Sequence, residues 1–250
     1  MSVMNIKLII AYDGTAYHGW QIQKNGITVQ ESVKNAVKKV TGEDVNVVGC
    51  GRTDAGVHAL NYVCNFKTEA SIPADRFKNA LNTYLPRDIR CKASEEVSDD
   101  FHASYSASGK TYIYRILNRP EADVFERNYS WHYKYDVDIE KMQKAAQAFI
   151  GEHDFIGFAA AGFTVSTTVR TIYDLKVNEN NGIITIEITG NGFLYNMVRI
   201  IAGTLVMMGN GKIDYTKAAQ IIASKERKRA GITAPPEGLF LKEVFYGERE

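Results

Sequence analysis

The chain has 250 residues, enough for one large domain or two small ones, and its 45% hydrophobic and 24% charged residues exclude a disordered polymer. Thirty basic residues against 29 acidic ones leave a net charge of +1, so no global field would draw in a polyanion, although Lys225, Arg227, Lys228 and Arg229 cluster locally. The longest apolar run, Met197 to Met208, is broken by Arg199 and falls short of the ~20 residues that cross a bilayer; the N-terminal MSVMNIKLII has no signal-peptide cleavage site, and a cytoplasmic protein is expected.

In chain order, residues 5–12 alternate with Ile6, Leu8, Ile10 and Tyr12 on one side, which predicts a strand. Val29, Val33, Ala36, Val37 and Val40 recur at helical spacing behind a Thr28–Glu31 capping box and before Gly42, predicting a helix over 28–41. Strands follow at 45–50 and 59–67, the second with Leu60, Tyr62, Cys64 and Phe66 on one side, joined by the glycine-rich GRTDAGVH. Pro73 opens a second helix carrying Phe77, Leu81 and Tyr84, and strands follow at 89–97 and 111–117. The order βαββαβ predicts a ferredoxin-like, RRM-like unit: an antiparallel sheet with helices on one face.

Beyond a polar connection at 118–127 the order repeats. A strand at 131–135 and an amphipathic helix built on Ile139, Met142, Ala146 and Phe149 come first. Strands at 169–177 and 183–189, a helix from about Phe193 to Met208, a short helix from Asp214 and a last strand at 239–246 complete it. The expectation is an α+β protein of two halves, 1–118 and 119–250.

Cys50, Cys64 and Cys91 have no C-x-x-C spacing and read as buried, reduced thiols, neither a disulfide framework nor a zinc site. The five histidines show no i, i+4 pair, so no metal is expected, and only His58, beside the glycine-rich loop, stands apart. GNGFL at 190–194 lacks what a phosphate-loop or dinucleotide fingerprint needs.

The unusual stretch is GCGRTDAGVHA, 49–59. It reads either as a strand-to-strand turn with Asp54 bonded to its own backbone, or as an active-site loop presenting one carboxylate as a nucleophile kept ionised by a nearby arginine. A single carboxylate argues against sugar hydrolysis, which ordinarily needs a second acid for its leaving group, whereas a base departing as a stabilised anion needs none. Tyr112 and Tyr114 alternate on one strand, either as core or as a stacking surface for bases. In the late helix, Leu194, Met197, Ile201, Leu205 and Met208 form a core stripe. Arg199 falls on the opposite face among apolar neighbours and must snorkel or pair with a carboxylate, for which Asp54 is the candidate.

Together these segments resemble the bacterial tRNA pseudouridine synthase A family over nearly the whole chain. The likeness is carried by YDGTAYHGWQIQ (12–23), GCGRTDAGVHA (49–59), LPRDIR (85–90), FHASYSASGKTYIYRI (101–116), TVRTI (168–172), GNGFLYNMVRIIAGTLVMMG (190–209) and APPEGLFLKEVFY (234–246). The resemblance implies Asp54 as catalytic nucleophile, Tyr112 as the ring packing on the target uracil, Arg199 as the salt-bridge partner of Asp54, and Arg52 as an aid in displacing the nucleotide. It further implies a homodimer with tRNA as partner, an extended mostly antiparallel sheet with the active-site cleft between the halves, conversion of uridines at anticodon-arm positions 38 to 40, and no cofactor. The competing class is a non-catalytic RNA-binding module of paired ferredoxin-like halves.

Overall fold

A computed structural model describes residues 3–162 and 165–247. The architecture is α+β. The chain divides into two compact units, the first running to Ser108 and taking in the chain from Phe240, the second spanning Gly109–Leu239.

In the first unit, β1 (Met4–Tyr12) leads to α1 (Val29–Thr41), the hairpin of β2 (Val48–Gly49) and β3 (His58–Thr68), then α2 (Phe77–Tyr84) and β4 (Ile89–Val97). β1 lies antiparallel between β3 and β4, and β2 pairs antiparallel with β3, giving the order β4-β1-β3-β2 of a ferredoxin-like unit. α1 starts where its cap dictates, with Thr28 Oγ1 accepting from the Glu31 N–H, and stops at Gly42 in the left-handed conformation. Ile6, Leu8 and Ile10 of β1 and Val33 and Val37 of α1 are all buried, and Phe77 of α2 meets Phe66 of β3 edge-on at 5.6 Å. α2 thus packs on the sheet, and α1 packs beside α2.

Three local expectations are corrected here. β2 is two residues long instead of six because the Val47 carbonyl is taken by the Gln30 side-chain amide at 2.8 Å rather than by a strand partner. The first half of β3 lies beyond the reach of β2, and β10 (Leu239–Tyr246) pairs with it, running parallel with Phe240 opposite His58. Leu60 is exposed, whereas Tyr62, Cys64 and Phe66 are buried as expected. The pairing jumps from Ile10–Tyr62 to Tyr12–Ala59, so an extra residue in β3 reverses its alternation. Tyr84 also lies outside the core, half exposed at the end of α2.

In the second unit, β5 (Ala107–Leu117) is followed by the short β6 (Trp131–His132), α3 (Ile139–Ala146), β7 (Gly151–Asp154), β8 (Val169–Asn180), β9 (Ile183–Gly190), α4 (Met197–Gly209) and α5 (Ala218–Ser224). β9 lies antiparallel between β5 and β8, β7 extends the β8 edge, and β6 pairs in parallel with the end of β5. The polar tetrapeptide of β7 has no hydrophobic alternation and was not anticipated. Gln143 of α3 donates to the Val177 carbonyl at 2.9 Å and docks that helix on β8. α4 begins at Met197, not Phe193, because Asn196 adopts a left-handed backbone (φ 61°) through which a right-handed helix cannot run. Among the described residues no helix is long and apolar enough to cross a membrane.

All three cysteines are buried and unbridged. Burial pushes the Cys91 thiol up to about 12 and the Cys64 thiol well above its ordinary range. Because the thiolate is the reactive form, iodoacetamide at pH 8 is expected to leave the native protein unmodified at these two sites and to label both in urea, as read by mass.

Candidate active site

The loop from Cys50 to Val57 is the connection of the β2–β3 hairpin, and it rests on the segment leaving β1. Trp20 N–H donates to the Thr53 carbonyl (3.1 Å), Gly56 N–H to the Tyr17 carbonyl (3.3 Å), and Tyr12 and Thr53 join hydroxyls at 2.8 Å. Inside the loop, Val57 N–H donates to the Asp54 carbonyl at 3.1 Å, closing a four-residue turn with Gly56 at φ 78°. Tyr62 holds the other end by donating to the Gly51 carbonyl at 2.5 Å, and its ring stacks on Trp20 at 4.1 Å. Asp54 is thus half-buried at the start of a pinned turn, while Arg52, two residues earlier, is exposed.

Close backbone contact explains the glycines of YDGTAYHGW. A Cβ on Gly14 would stand 2.0 Å from the Val57 carbonyl oxygen, and one on Gly19 (φ 80°) would stand 2.3 Å from that of Thr53. Neither obstacle is a side chain that can swing aside. Gly14→Ala is therefore expected to displace the loop, lowering stability by about 1–3 kcal/mol and turnover by more than tenfold; thermal melts and steady-state rates check both.

The other two predicted site residues belong to the second unit. Tyr112 lies on β5 opposite Ile188 of β9, 9% exposed, with its ring edge-on to Phe193 at 5.2 Å. Phe193 reaches it from the GNGFL turn, whose Gly190 passes so close to β8 that a Cβ would meet the Thr171 carbonyl at 2.8 Å. Tyr114, on the same strand face, is core: it is fully buried and donates to the Pro235 carbonyl at 2.7 Å. Burial also holds its phenol well above the usual range.

Arg199 is half-buried on α4, a helix covered on nearly every side rather than along one stripe. Its Nε donates to the Ala234 carbonyl and its Nη1 to Asn196 Oδ1, both at 2.7 Å, while Ala234 N–H returns a bond to the Arg199 carbonyl at 3.1 Å. The 231–235 segment can lie this close because Gly203 has no side chain; a Cβ there would meet the Ile232 carbonyl oxygen at 2.0 Å. Sequence spacing could not show that these local acceptors aim the guanidinium, since Ala234 is 35 residues away.

The basic cluster is largely engaged within the fold. Lys225 pairs with Asp154 at 2.9 Å, Lys228 with Glu226 at 3.1 Å, and Arg227 donates to the Gly231 carbonyl and the Thr233 hydroxyl. Lys225, with Thr168, holds the Asp154 carboxyl below the usual carboxylate range.

Comparison with known proteins places this geometry. The family model for tRNA pseudouridine synthase matches residues 8–106 and 145–247, taking in both the Asp54 loop and α4. The chain belongs to the tRNA pseudouridine synthase family. It is 53% identical over 242 residues to tRNA pseudouridine synthase A of Thermoanaerobacter sp. (strain X514), covering 97% of this chain and 99% of that protein. The tRNA pseudouridine synthase A of Ruminiclostridium cellulolyticum is likewise 53% identical over 96% of this chain and 99% of its own length. As a pseudouridine synthase the chain is an enzyme, and the non-catalytic binding module is set aside. Sequence reading named Asp54, and it gave the segment 12–23 as part of the resemblance without the support that 12–20 lends the loop, for which its only local signal is two glycines among aromatics.

Proposed function

We propose that this enzyme converts uridine to pseudouridine in the anticodon arm of tRNA, at positions 38 to 40, with Asp54 as its nucleophile. The observation that supports Asp54 is the pinned turn: one half-buried carboxylate whose backbone is held by main-chain bonds on both sides, Trp20 N–H to the Thr53 carbonyl and Val57 N–H to its own carbonyl. The reaction breaks the N1–C1′ bond, turns the uracil and forms a C5–C1′ bond. C5 loses a proton and N1 gains one, so no redox partner is called for. Before that, the nucleotide must leave its stack, at a cost of a few kcal/mol that protein contacts must offset.

In this reading exposed Arg52 helps displace the nucleotide, Tyr112 packs on the uracil, and Arg199 is the counter-charge of Asp54. The enzyme acts as a cytoplasmic homodimer, for which a sedimentation mass of twice the chain is the check. Release of tritium from tRNA labelled at uracil C5 tests the reaction itself. A synthase frees one tritium per pseudouridine formed, whereas an RNA binder or a nucleoside hydrolase leaves the label on the base. Mapping the product nucleotides then tests the site: modification outside the anticodon arm would overturn that part.

A further inference from the structure

His58 opens β3 directly after the Asp54 turn, and nothing in the reaction described above uses it. Its imidazole is buried, with 2% of the side chain exposed, and stacks on Phe240 of β10 at 4.6 Å with the rings 23° apart. Nδ1 lies 3.0 Å from the Gly14 amide, which donates to it, and 3.2 Å from Asp13 Oδ1. The two contacts ask for opposite states of Nδ1, an acceptor for the first and a donor for the second. The first prevails. Asp13 Oδ1 already accepts from the Thr15 amide at 3.0 Å and the Thr15 hydroxyl at 2.6 Å, whereas the buried Gly14 N–H would forfeit its acceptor.

Gly14 is also the residue against which Val57 abuts, and the Val57 amide closes the turn on the Asp54 carbonyl. A shift of Gly14 is thus passed to Asp54 through two backbone contacts. On the reading that Asp54 is the reactive group, we infer that His58 is a positioning residue for catalysis: its Nδ1 fixes Gly14, and through Gly14 and Val57 the placement of the Asp54 carboxylate. It touches the loop's support, not the reacting atoms, so its loss acts on kcat and leaves tRNA binding in place.

Two substitutions separate this from a packing role. His58→Phe keeps a flat ring against Phe240 and removes the acceptor. His58→Asn gives up the ring but carries an oxygen at the place of Nδ1. His58→Phe is expected to lower kcat by about 10–100-fold with KM for tRNA within about twofold, since misplacing a reacting group by 1 Å costs roughly a hundredfold. His58→Asn is expected to regain most of that kcat although it packs less well and melts lower. Rates that follow the melting temperatures instead, or parent-like kcat in His58→Phe, would overturn the inference.

If neither variant folds, the parent protein still decides. A two-bond 15N–15N coupling between the Gly14 amide and the imidazole is expected across this hydrogen bond, and its absence refutes the acceptor role. Asp54→Asn assayed alongside keeps the two ideas apart. An active Asp54→Asn removes the nucleophile itself, whereas an inactive Asp54→Asn beside a fully active His58→Phe removes only the positioning role.

Discussion

Asp54→Asn is expected to abolish pseudouridine formation, a loss of roughly three orders of magnitude or more, equivalent to about 4 kcal/mol of transition-state stabilisation. The fold should survive, because the turn is closed by the Asp54 carbonyl and flanked by the Thr53 carbonyl, both main-chain groups that the substitution leaves in place. Asparagine keeps the shape of the side chain and removes only its charge and nucleophilicity. Binding of tRNA should therefore persist in a filter or mobility-shift assay while C5 tritium release stops. Turnover within tenfold of the parent, with product confirmed by nucleoside analysis, would end the assignment of Asp54 as nucleophile.

Arg199→Leu tests the proposed counter-charge. Without the guanidinium a partly buried carboxylate is harder to ionise, so its pKa rises and the protonated, non-nucleophilic form persists to higher pH. Activity falls as pH falls through that raised value, so the acid limb of the rate profile should move upward by about one pH unit or more. At an acidic pH below the new midpoint this is about a tenfold loss for each pH unit the limb moves, partly regained above neutrality. The substitution also strips donors from the Ala234 carbonyl and Asn196 Oδ1, which lowers stability by about 1–3 kcal/mol whatever Arg199 does for catalysis. The shape of the pH profile is therefore the telling measurement. On the stability scale, Arg199→Leu and Asp54→Asn should combine less than additively, because each removes the same pair. Full additivity together with an unmoved acid limb would leave Arg199 with a structural role only.

What the sequence determined by itself is local. The span of α1 was legible because its start and stop are set by Thr28 and Gly42 within one turn of its ends, and that of β10 because its apolar and aromatic residues lie between Gly238 and Gly247. The Asp54 loop drew attention for a similar reason: three glycines, an arginine and an aspartate lie within eleven residues, a local pattern that leaves an ordinary turn and an active-site loop both open. Contacts between distant parts of the chain decided the rest. Gln30 shortened β2 by taking the Val47 carbonyl, and an extra residue in β3 turned Leu60 outward. A left-handed Asn196 moved the start of α4. The role of His58 depends on Gly14, 44 residues away, and the aim of Arg199 on Ala234, 35 away. A backbone carbonyl or amide carries no mark in the sequence to say which partner will satisfy it; that choice is made only when burial removes water as the alternative.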